Sequence, residues 1–454
     1  MEKYDVVILG GASTGSYFAK KMAERGHRVL VIEKSSEETV GSKYDIFHIG
    51  KPDFARFGLP EPVEGEDKAF EFTGSVSLSA FGHYPKPGGG TTIGMHMHRY
   101  TLRLNQWAKA AGANFVYNAV FKEFLFKNGQ ICGIRYQEND TQVTIGAHLV
   151  ADCSGIPSVG RTSLPDGYGV ENFKIGPEDM FYVTLRYVTY RHEADFIKQG
   201  RSWTFYKTWE APQADPHGAI LGVGANLNFE TGEKVYAEFE KAIKLPEYDL
   251  QYTEKGTTPY RRPPYSFVGD GFVAMGDAAC LTKPNAGEGV TSSMVQVDVA
   301  VEVVDNLLKS KEPLSRERLW PINCRYIERQ GKTFAGMLAT LIGAVASSAQ
   351  ENEFFFRHDI IFSAKALGGI AEGKPLQFST KEMIAMGFKM VYGLILGKVR
   401  LKTIKTLLKS MKNGDQITKI YAQYPESPEG FAAWVTKADE AWKACGSMAD
   451  LVKE

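Results

Sequence analysis

Residues 4–15 read Tyr4-Asp5-Val6-Val7-Ile8-Leu9-Gly10-Gly11-Ala12-Ser13-Thr14-Gly15, and residues 28–33 read Arg28-Val29-Leu30-Val31-Ile32-Glu33. The first six residues form a short, β-branched apolar run, the kind that becomes a parallel strand buried on both faces. Gly10 to Gly15 make a turn. From Ser16 to Arg25 the apolar residues Phe18, Ala19, Met22 and Ala23 recur at helical spacing, and Gly26 closes the helix. A second strand, Arg28 to Ile32, ends at Glu33. This βαβ unit carries a G-x-G-x-x-G spacing in which Ala12 replaces the middle glycine, narrowing the approach there by one methyl. Gly10 permits the tight turn and Gly15 permits close helix packing. Ala12, Ser13 and Thr14 offer backbone N–H groups and a helix dipole to a pyrophosphate. Glu33, with Lys34 beside it, stands where an acidic side chain accepts hydrogen bonds from an adenosine ribose.

The 454-residue chain suggests two or three structural units. Hydrophobic residues make up 43% and charged residues 23%, an ordinary soluble composition. Lysine plus arginine equals aspartate plus glutamate at 53 each, which argues against a protein coating nucleic acid with a basic surface. The five cysteines, Cys132, Cys153, Cys280, Cys324 and Cys445, are scattered and odd in number, fitting neither a disulfide scaffold nor a metal or iron–sulfur site. With a strand starting at once and no leader before it, the expected location is cytoplasmic.

Farther along, Leu102–Ala111 reads as a helix, 114–117 as a strand, and 121–126, 131–136 and 142–145 as a small meander, with Val150 ending another buried strand. The Pro-Lys-Pro-Gly-Gly-Gly run at 85–90 reads as a loop. Residues 180–228 are strand-like and aromatic, suggesting a second sheet that faces a pocket. Phe272–Met275 returns to the nucleotide domain, 290–308 is a long buried helix, and the chain beyond 346 reads as mainly helical. The predicted class is α/β: a Rossmann-type dinucleotide-binding domain, read below as FAD-binding (1–75, 99–175 and 256–345), an antiparallel β-sheet substrate domain (76–98 and 176–255), and a C-terminal helical region (346–454).

The flavin reading comes from residues 271–290, Gly-Phe-Val-Ala-Met-Gly-Asp-Ala-Ala-Cys-Leu-Thr-Lys-Pro-Asn-Ala-Gly-Glu-Gly-Val. This segment resembles the Gly-Asp motif of FAD-dependent enzymes of the p-hydroxybenzoate hydroxylase type. The resemblance implies that the strand delivers Asp277, after Gly276, to the ribityl chain. It also implies that Pro284, Gly287, Gly289 and Val290 place a helix N-terminus under the flavin ring, whose dipole favours negative charge on the reduced flavin. Arg99 and the stretch from Asp152-Cys153-Ser154-Gly155 to Arg161 fit the remaining FAD contacts more loosely.

Within that superfamily the chain resembles geranylgeranyl reductases nearly end to end, including Tyr260-Arg261-Arg262-Pro263-Pro264-Tyr265 and the segment Tyr421–Trp434. Two departures stand out. Where archaeal members carry a Pro-Cys-Gly-Asp-like segment, this chain has Tyr44-Asp45-Ile46-Phe47. The family's aromatic substrate motif survives only as Trp209-Glu210-Ala211-Pro212, with Tyr206 out of register. The resemblance implies an FAD-dependent reductase that delivers hydride to carbon–carbon double bonds of an isoprenoid-like lipid, with Asp45, Tyr44 or His48 as proton donor and Tyr206, Trp209 and Pro212 against the substrate. NAD(P)H or a ferredoxin-like protein would supply electrons. A dehydrogenase or monooxygenase acting on a smaller, aromatic substrate is the alternative, and an electron-transfer flavoprotein serving a quinone is a third reading.

His83, His96 and His98 invite a metal reading, His96 and His98 sharing one face if they lie on a strand; without matching carboxylates or cysteines, loop or substrate-lining roles are expected. Residues 381–412 hold eight basic residues against Glu382 alone, a solvated face of a cap or a contact with an anionic membrane.

Overall fold

The computed structural model describes residues 2–344, 347–371, 374 and 378–446. Val6, Val7 and Ile8 are fully buried because the strand Lys3–Leu9 lies mid-sheet, parallel to Val29–Ile32 on one side and to Thr141–Asp152 on the other. The sheet runs Val268–Gly269, Phe272–Ala274, Thr141–Asp152, Lys3–Leu9, Val29–Ile32, Asn114–Val116. Leu9 pairs with both Ile32 and Asp152, and Asp152 with Ala274, so four strand ends arrive abreast at one edge. That carboxyl edge is where open α/β sheets bind ligands. The first helix runs Ser13–Ala23, a turn earlier than its apolar periodicity starts, since the first turn faces the nucleotide loop and needs no apolar residues. Tyr17 fixes this helix between its neighbours, stacking on Trp107 of the helix Met97–Ala110 and donating to Asp298 Oδ1 (2.7 Å) of the helix Val290–Lys309.

The meander consists of Ala119–Lys127, Gln130–Glu138 and the first half of Thr141–Asp152. Two strands were expected within 142–150. A single strand serves both purposes, antiparallel to Gln130–Glu138 at its start and parallel to Lys3–Leu9 from Gly146 onward.

The second sheet orders its strands Tyr248–Pro259, Met180–Tyr190, Gly218–Asn226, Lys207–Pro212, Gly200–Trp203, Lys68–Leu78, Lys86–His96, Ile46–Gly50. It departs from expectation in three ways. It recruits 46–50 and 68–78, which the sequence left mostly with the nucleotide domain. The glycine run at 85–90 falls at the start of a strand, with Gly88 opposite Ser75. The pairing of Gly200–Trp203 with Lys68–Leu78 is parallel in an otherwise antiparallel sheet. The helix Phe229–Ile243 covers one face, where Val188, Tyr190, Leu221, Val223, Tyr236 and Phe239 form a buried cluster. The opposite face, here the inner face, turns toward the nucleotide domain.

Beyond 346 the described elements are helices: Ala349–Arg357, Ala364–Ala371, Thr380–Ile395, Leu401–Tyr421 and Phe431–Cys445. Leu401–Tyr421 crosses Lys332–Ala344 at two glycines; a Cβ on Gly414 would stand 2.8 Å from the Gly336 carbonyl oxygen. The two segments likened to the reductases meet in space. Tyr424 donates to the Tyr265 carbonyl (2.7 Å), Tyr265 packs edge-on to Trp434, and Arg262 grips Glu171 through both terminal nitrogens (2.8 Å each).

Arg161 is fully buried, and its guanidinium donates to the carbonyls of Ala278 (2.7 Å), Glu171 (2.9 Å) and Phe173 (2.7 Å). Its role is to tie the 152–161 turn to the Gly-Asp segment, with Asp152 accepting from Ser154 and Arg161 backbone N–H groups at the base of that turn. Arg161→Leu removes the guanidinium donors of the Glu171 and Phe173 carbonyls and leaves Ala278 with Ser158 Oγ alone, and we expect a loss of about 3 kcal/mol in unfolding free energy. Urea denaturation with an unchanged m-value checks it.

Candidate functional site

The site begins at the carboxyl edge of the parallel sheet. Gly10 has φ +103°, and a Cβ there would lie 2.5 Å from the Cys153 carbonyl oxygen; a Cβ on Gly15 would fall inside the Gly10 carbonyl. Both glycines are therefore obligatory. Ala12 is different: its backbone is extended with φ −80° and its methyl is exposed, so alanine substitutes for glycine without strain. Ser13 and Thr14 open the helix, leaving N–H groups without intrahelical partners. Glu33 is buried at the end of its strand, accepting from the N–H groups of Gly11 and Ser35 at 2.8 Å each. Each carboxylate oxygen retains a lone pair. Lys34 is exposed beside it.

The Gly-Asp segment joins this loop directly. Gly276 has φ +63°, and a Cβ on it would lie 2.7 Å from Thr14 Oγ1. Asp277 follows, half-buried, with Gly289 against its carboxylate (3.0 Å from a Cβ to Oδ1). Burial raises the Asp277 pKa, and the Lys43 ammonium opposes the rise. The 283–288 turn closes through Lys283 N–H to the Glu288 carbonyl (2.8 Å) and Gly287 N–H to the Lys283 carbonyl (2.9 Å). Val290 begins the long helix as expected, but its N-terminus is not left open. Glu288 accepts from Thr291 N–H and Thr291 Oγ1, 2.7 Å each, placing a carboxylate where the sequence suggested free donors. Burial raises the Glu288 pKa. Arg99 lies on the helix Met97–Ala110, exposed, and donates to the Glu66 carbonyl (2.9 Å); among the described residues no hydrogen bond joins it to the two glycine segments.

The inner face of the second sheet forms the other wall. Side chains alternate across a sheet, and Trp209 with Lys207 are in phase with Gly222 and Gly224 on the neighbouring strand. Aromatic rings lie directly over the sheet's glycines. Trp209 covers Gly222, Phe181 covers Gly224, Tyr44 covers Gly256 and Phe70 covers Gly94, each so closely that a Cβ would overlap the ring. His48 is in phase with Ile46, which packs with Phe70, Tyr187 and Ile220 on this face. The His48 side chain keeps access to solvent, and the desolvation it meets on this wall lowers its pKa, keeping its imidazole neutral. Asp45 accepts from Tyr252 (2.7 Å) and pairs with His96 Nδ1 (3.2 Å), while its backbone N–H donates to Glu254 (2.8 Å). Tyr187 stacks on Tyr252 at 4.3 Å and donates to Glu254 (3.0 Å). Burial and the charges of Glu254 and Asp277 raise the Tyr44 pKa, so its phenol is held neutral. Tyr44, Asp45, His48 and Trp209 are thus brought together on one wall.

Two expected residues fall elsewhere. Pro212 is three residues from Trp209, an odd step that turns it to the helix-covered face, opposite Ala219. Tyr206 sits in the turn before the strand, with φ +57° and 41% exposure. His96 ends a strand and His98 lies in the following helix, so they do not share a face: His98 Nδ1 meets the Val40 carbonyl (2.6 Å), and His83 pairs with Glu353 (2.9 Å).

Sequence reasoning missed Lys207, Tyr252, Glu254 and Glu288. The first lies on the inner face with Nζ 3.4 Å from both Tyr260 Oη and the Asn285 carbonyl, beside Gly287, and burial pushes its pKa down to about 8. A signal existed: Lys207 and Trp209, like Tyr252, Glu254 and Gly256, are spaced two apart within strands. Close by, Tyr260, Leu281, Pro284, Tyr326, Phe334 and Leu338 line a small cavity of mainly apolar walls.

No family model matches the chain. It is 22% identical over 449 residues to a digeranylgeranylglycerophospholipid reductase of Sulfolobus acidocaldarius, covering 96% of this chain and 97% of that protein. A crystal structure of a geranylgeranyl bacteriochlorophyll reductase-like protein from Thermoplasma acidophilum superposes with a TM-score of 0.70 at 17% identity, covering 88% of this chain and all of the other. A flavin-dependent brominase superposes with a TM-score of 0.60 at 16% identity, over 87% of this chain and 99% of the other. The chain is a relative of the geranylgeranyl reductases with the fold of FAD-binding flavoproteins. The obligatory glycines, the Thr14–Gly276 approach and the donors of the first helix fit that dinucleotide.

Gly276→Val forces a branched side chain onto Thr14, and we expect purified protein to lose bound FAD, read as loss of flavin absorbance, while far-ultraviolet circular dichroism is kept. Lys207 has a lower pKa in the folded chain than the 10.5 of a free lysine. Between about 8 and 10.5 the unfolded chain binds more protons, so stability rises with pH across that window. Lys207→Met removes the penalty; the variant should exceed the parent in stability at pH 7, with the difference shrinking toward pH 10.5 in matched urea titrations.

Proposed function

We propose that this relative of the geranylgeranyl reductases is an FAD-dependent oxidoreductase that reduces carbon–carbon double bonds of an isoprenoid-like lipid. The observation that carries this reading is the inner wall: the rings of Trp209 and Tyr44, each laid flat over a glycine, continue toward the mainly apolar cavity at Tyr260 and Leu338 and offer smooth contact to a hydrocarbon chain. Similarity to a named reductase over almost the whole chain supports it.

Ala12, Ser13 and Thr14 would hold the pyrophosphate, Glu33 the adenosine ribose, and Asp277 the ribityl chain, with Pro284, Gly287, Gly289 and Val290 beside the ring. FAD, when bound and reduced, supplies the hydride. NAD(P)H or a ferredoxin-like protein would recharge it.

The chain's own part is to orient the alkene, exclude water and hold a proton. Trp209 presents a face on which a planar alkene can lie, whereas Phe181 is buried between Gly224 and the stacked Tyr260 ring and backs the wall. Tyr44 is the proton donor this geometry favours. Its neutral phenol rests on Gly256 between the charges of Glu254 and Asp277, the residue that marks the cofactor side. Asp45 is a positioning residue, fixed by Tyr252 and His96, and His48 stays neutral on the same wall. Burial raises the Glu254 pKa, making it a route for reprotonating the wall.

The alternative chemistry, oxygen-dependent hydroxylation of a smaller aromatic substrate, gains some support from the missing cysteine. Anaerobic mixing of reduced enzyme with a geranylgeranyl lipid separates the two: reductase chemistry reoxidises one flavin per double bond saturated, with a mass gain of two hydrogens. No reoxidation without oxygen would refute the reductase reading. Tyr44→Phe is expected to slow that reoxidation roughly 100-fold, within the usual range for loss of a general acid, while Asp45→Asn slows it less. The reverse order would transfer the donor role to Asp45.

A further inference from the structure

We infer that the helix Thr380–Ile395, with the basic start of Leu401–Tyr421, is a preformed seat for an anionic lipid bilayer. The helix has an inward and an outward face. Inward, Met386, Met390 and Gly393 are buried, Gly393 so close to Phe354 that a Cβ would come within 2.6 Å of the ring. Outward, at the i, i+4, i+7, i+11 spacing of one helical stripe, stand Ile384 (56% exposed), Phe388 (74%), Val391 (54%) and Ile395 (76%). Met383, Tyr392, Leu394, Leu396 and Leu401 widen the stripe. A solvent-facing helix normally reverses this pattern. Ten of the seventeen large exposed hydrophobic residues among those described fall between Met383 and Leu408. Such concentration marks an interaction surface.

Charge selects the occupant. Lys389 is spent on the His358 carbonyl (2.7 Å) and Arg400 on Glu351 (2.6 Å). Lys381 and Lys398 at the two ends of the apolar stripe, and Lys405, Lys409 and Lys412 on the following helix, are exposed. Glu382, the single acidic residue of 381–412, is engaged at the helix start with Ser379 and Lys365. A second copy meeting this face through a two-fold axis would bring lysines against lysines. An anionic bilayer offers hydrocarbon to the stripe and negative headgroups to the lysines. The helix is already closed by its Ser379 cap and packed on Phe354, so seating requires little ordering. Among the described residues no helix is long and apolar enough to cross a membrane, so this contact lies along the surface.

The test is flotation of the full FAD-loaded chain with phosphatidylglycerol vesicles and, separately, phosphatidylcholine vesicles; it reads binding and involves no turnover, so it stands apart from the proposed chemistry. The expected result is co-flotation with the anionic vesicles, weakened by salt and by replacing them with neutral ones. Phe388→Glu with Ile395→Glu should cut binding at least roughly tenfold, as should Lys405→Glu with Lys409→Glu. Both pairs are exposed, so retained flavin absorbance and an unshifted melting curve will accompany the loss. Absence of flotation, equal flotation on neutral vesicles, or unaltered flotation of both variants overturns the inference. So does light scattering that finds a dimer which Phe388→Glu with Ile395→Glu converts to monomer.

Discussion

The approach of Gly276 to Thr14 is the contact on which the rest of the site depends. Each belongs to a different glycine segment, far apart in sequence, and each segment alone is only a turn at a strand end. Because position 276 carries no side chain, the chain leaving Ala274 comes into contact with the first turn of the helix Ser13–Ala23. Asp277 then falls within the field of Lys43, and Gly289 brings the next helix against Asp277. The parallel register supports this geometry: Leu9, Ile32, Asp152 and Ala274 are abreast, so every loop leaving that edge leads into one cradle. Arg161, buried and donating to three carbonyls through Nε and Nη1, locks the loop after Asp152 to the segment after Gly276.

Across the cradle, the second sheet contributes a wall that is apolar in surface yet electrostatically graded. Burial moves four of its titratable groups toward neutrality. It lowers Lys207 and His48 and raises Tyr44 and Glu254. Lys207 and Glu254 thereby move toward the pH at which a group exchanges protons readily, while the Tyr44 phenol holds its proton more tightly. Glu288 adds a carboxylate at the helix N-terminus of Val290–Lys309, offsetting the positive end of that helix dipole.

The nucleotide half was legible because its requirements are local. Gly10, Gly15 and Gly276 answer to backbone conformation and close approach, and Glu33 ends a strand whose β-branched run is visible in the sequence. The inner wall was less legible, because its logic is relational: Trp209 has meaning only above Gly222, and register fixes that pairing across strands. Pro212 was misplaced because a motif borrowed from relatives carries spacing without pleat phase. The start of the strand Lys86–His96 was hidden by its proline and glycines, which read as a loop until Lys68–Leu78 supplies the pairing partner. The basic stretch at 381–412 showed its charge in the sequence, whereas only the packing of Met386, Met390 and Gly393 reveals which face is left outside.

The rings over glycines also govern how this wall can change. Trp209 with Gly222, or Phe181 with Gly224, occupies a fixed combined thickness. Enlarging the glycine alone lifts the ring into the cleft; shrinking the ring alone opens a hole against bare backbone. Each pair therefore behaves as a single heritable unit, and a lineage altering the depth of its cleft must exchange both members or cross a poorly packed intermediate. Substrate range in such a scaffold would shift in discrete steps, one ring and its glycine at a time.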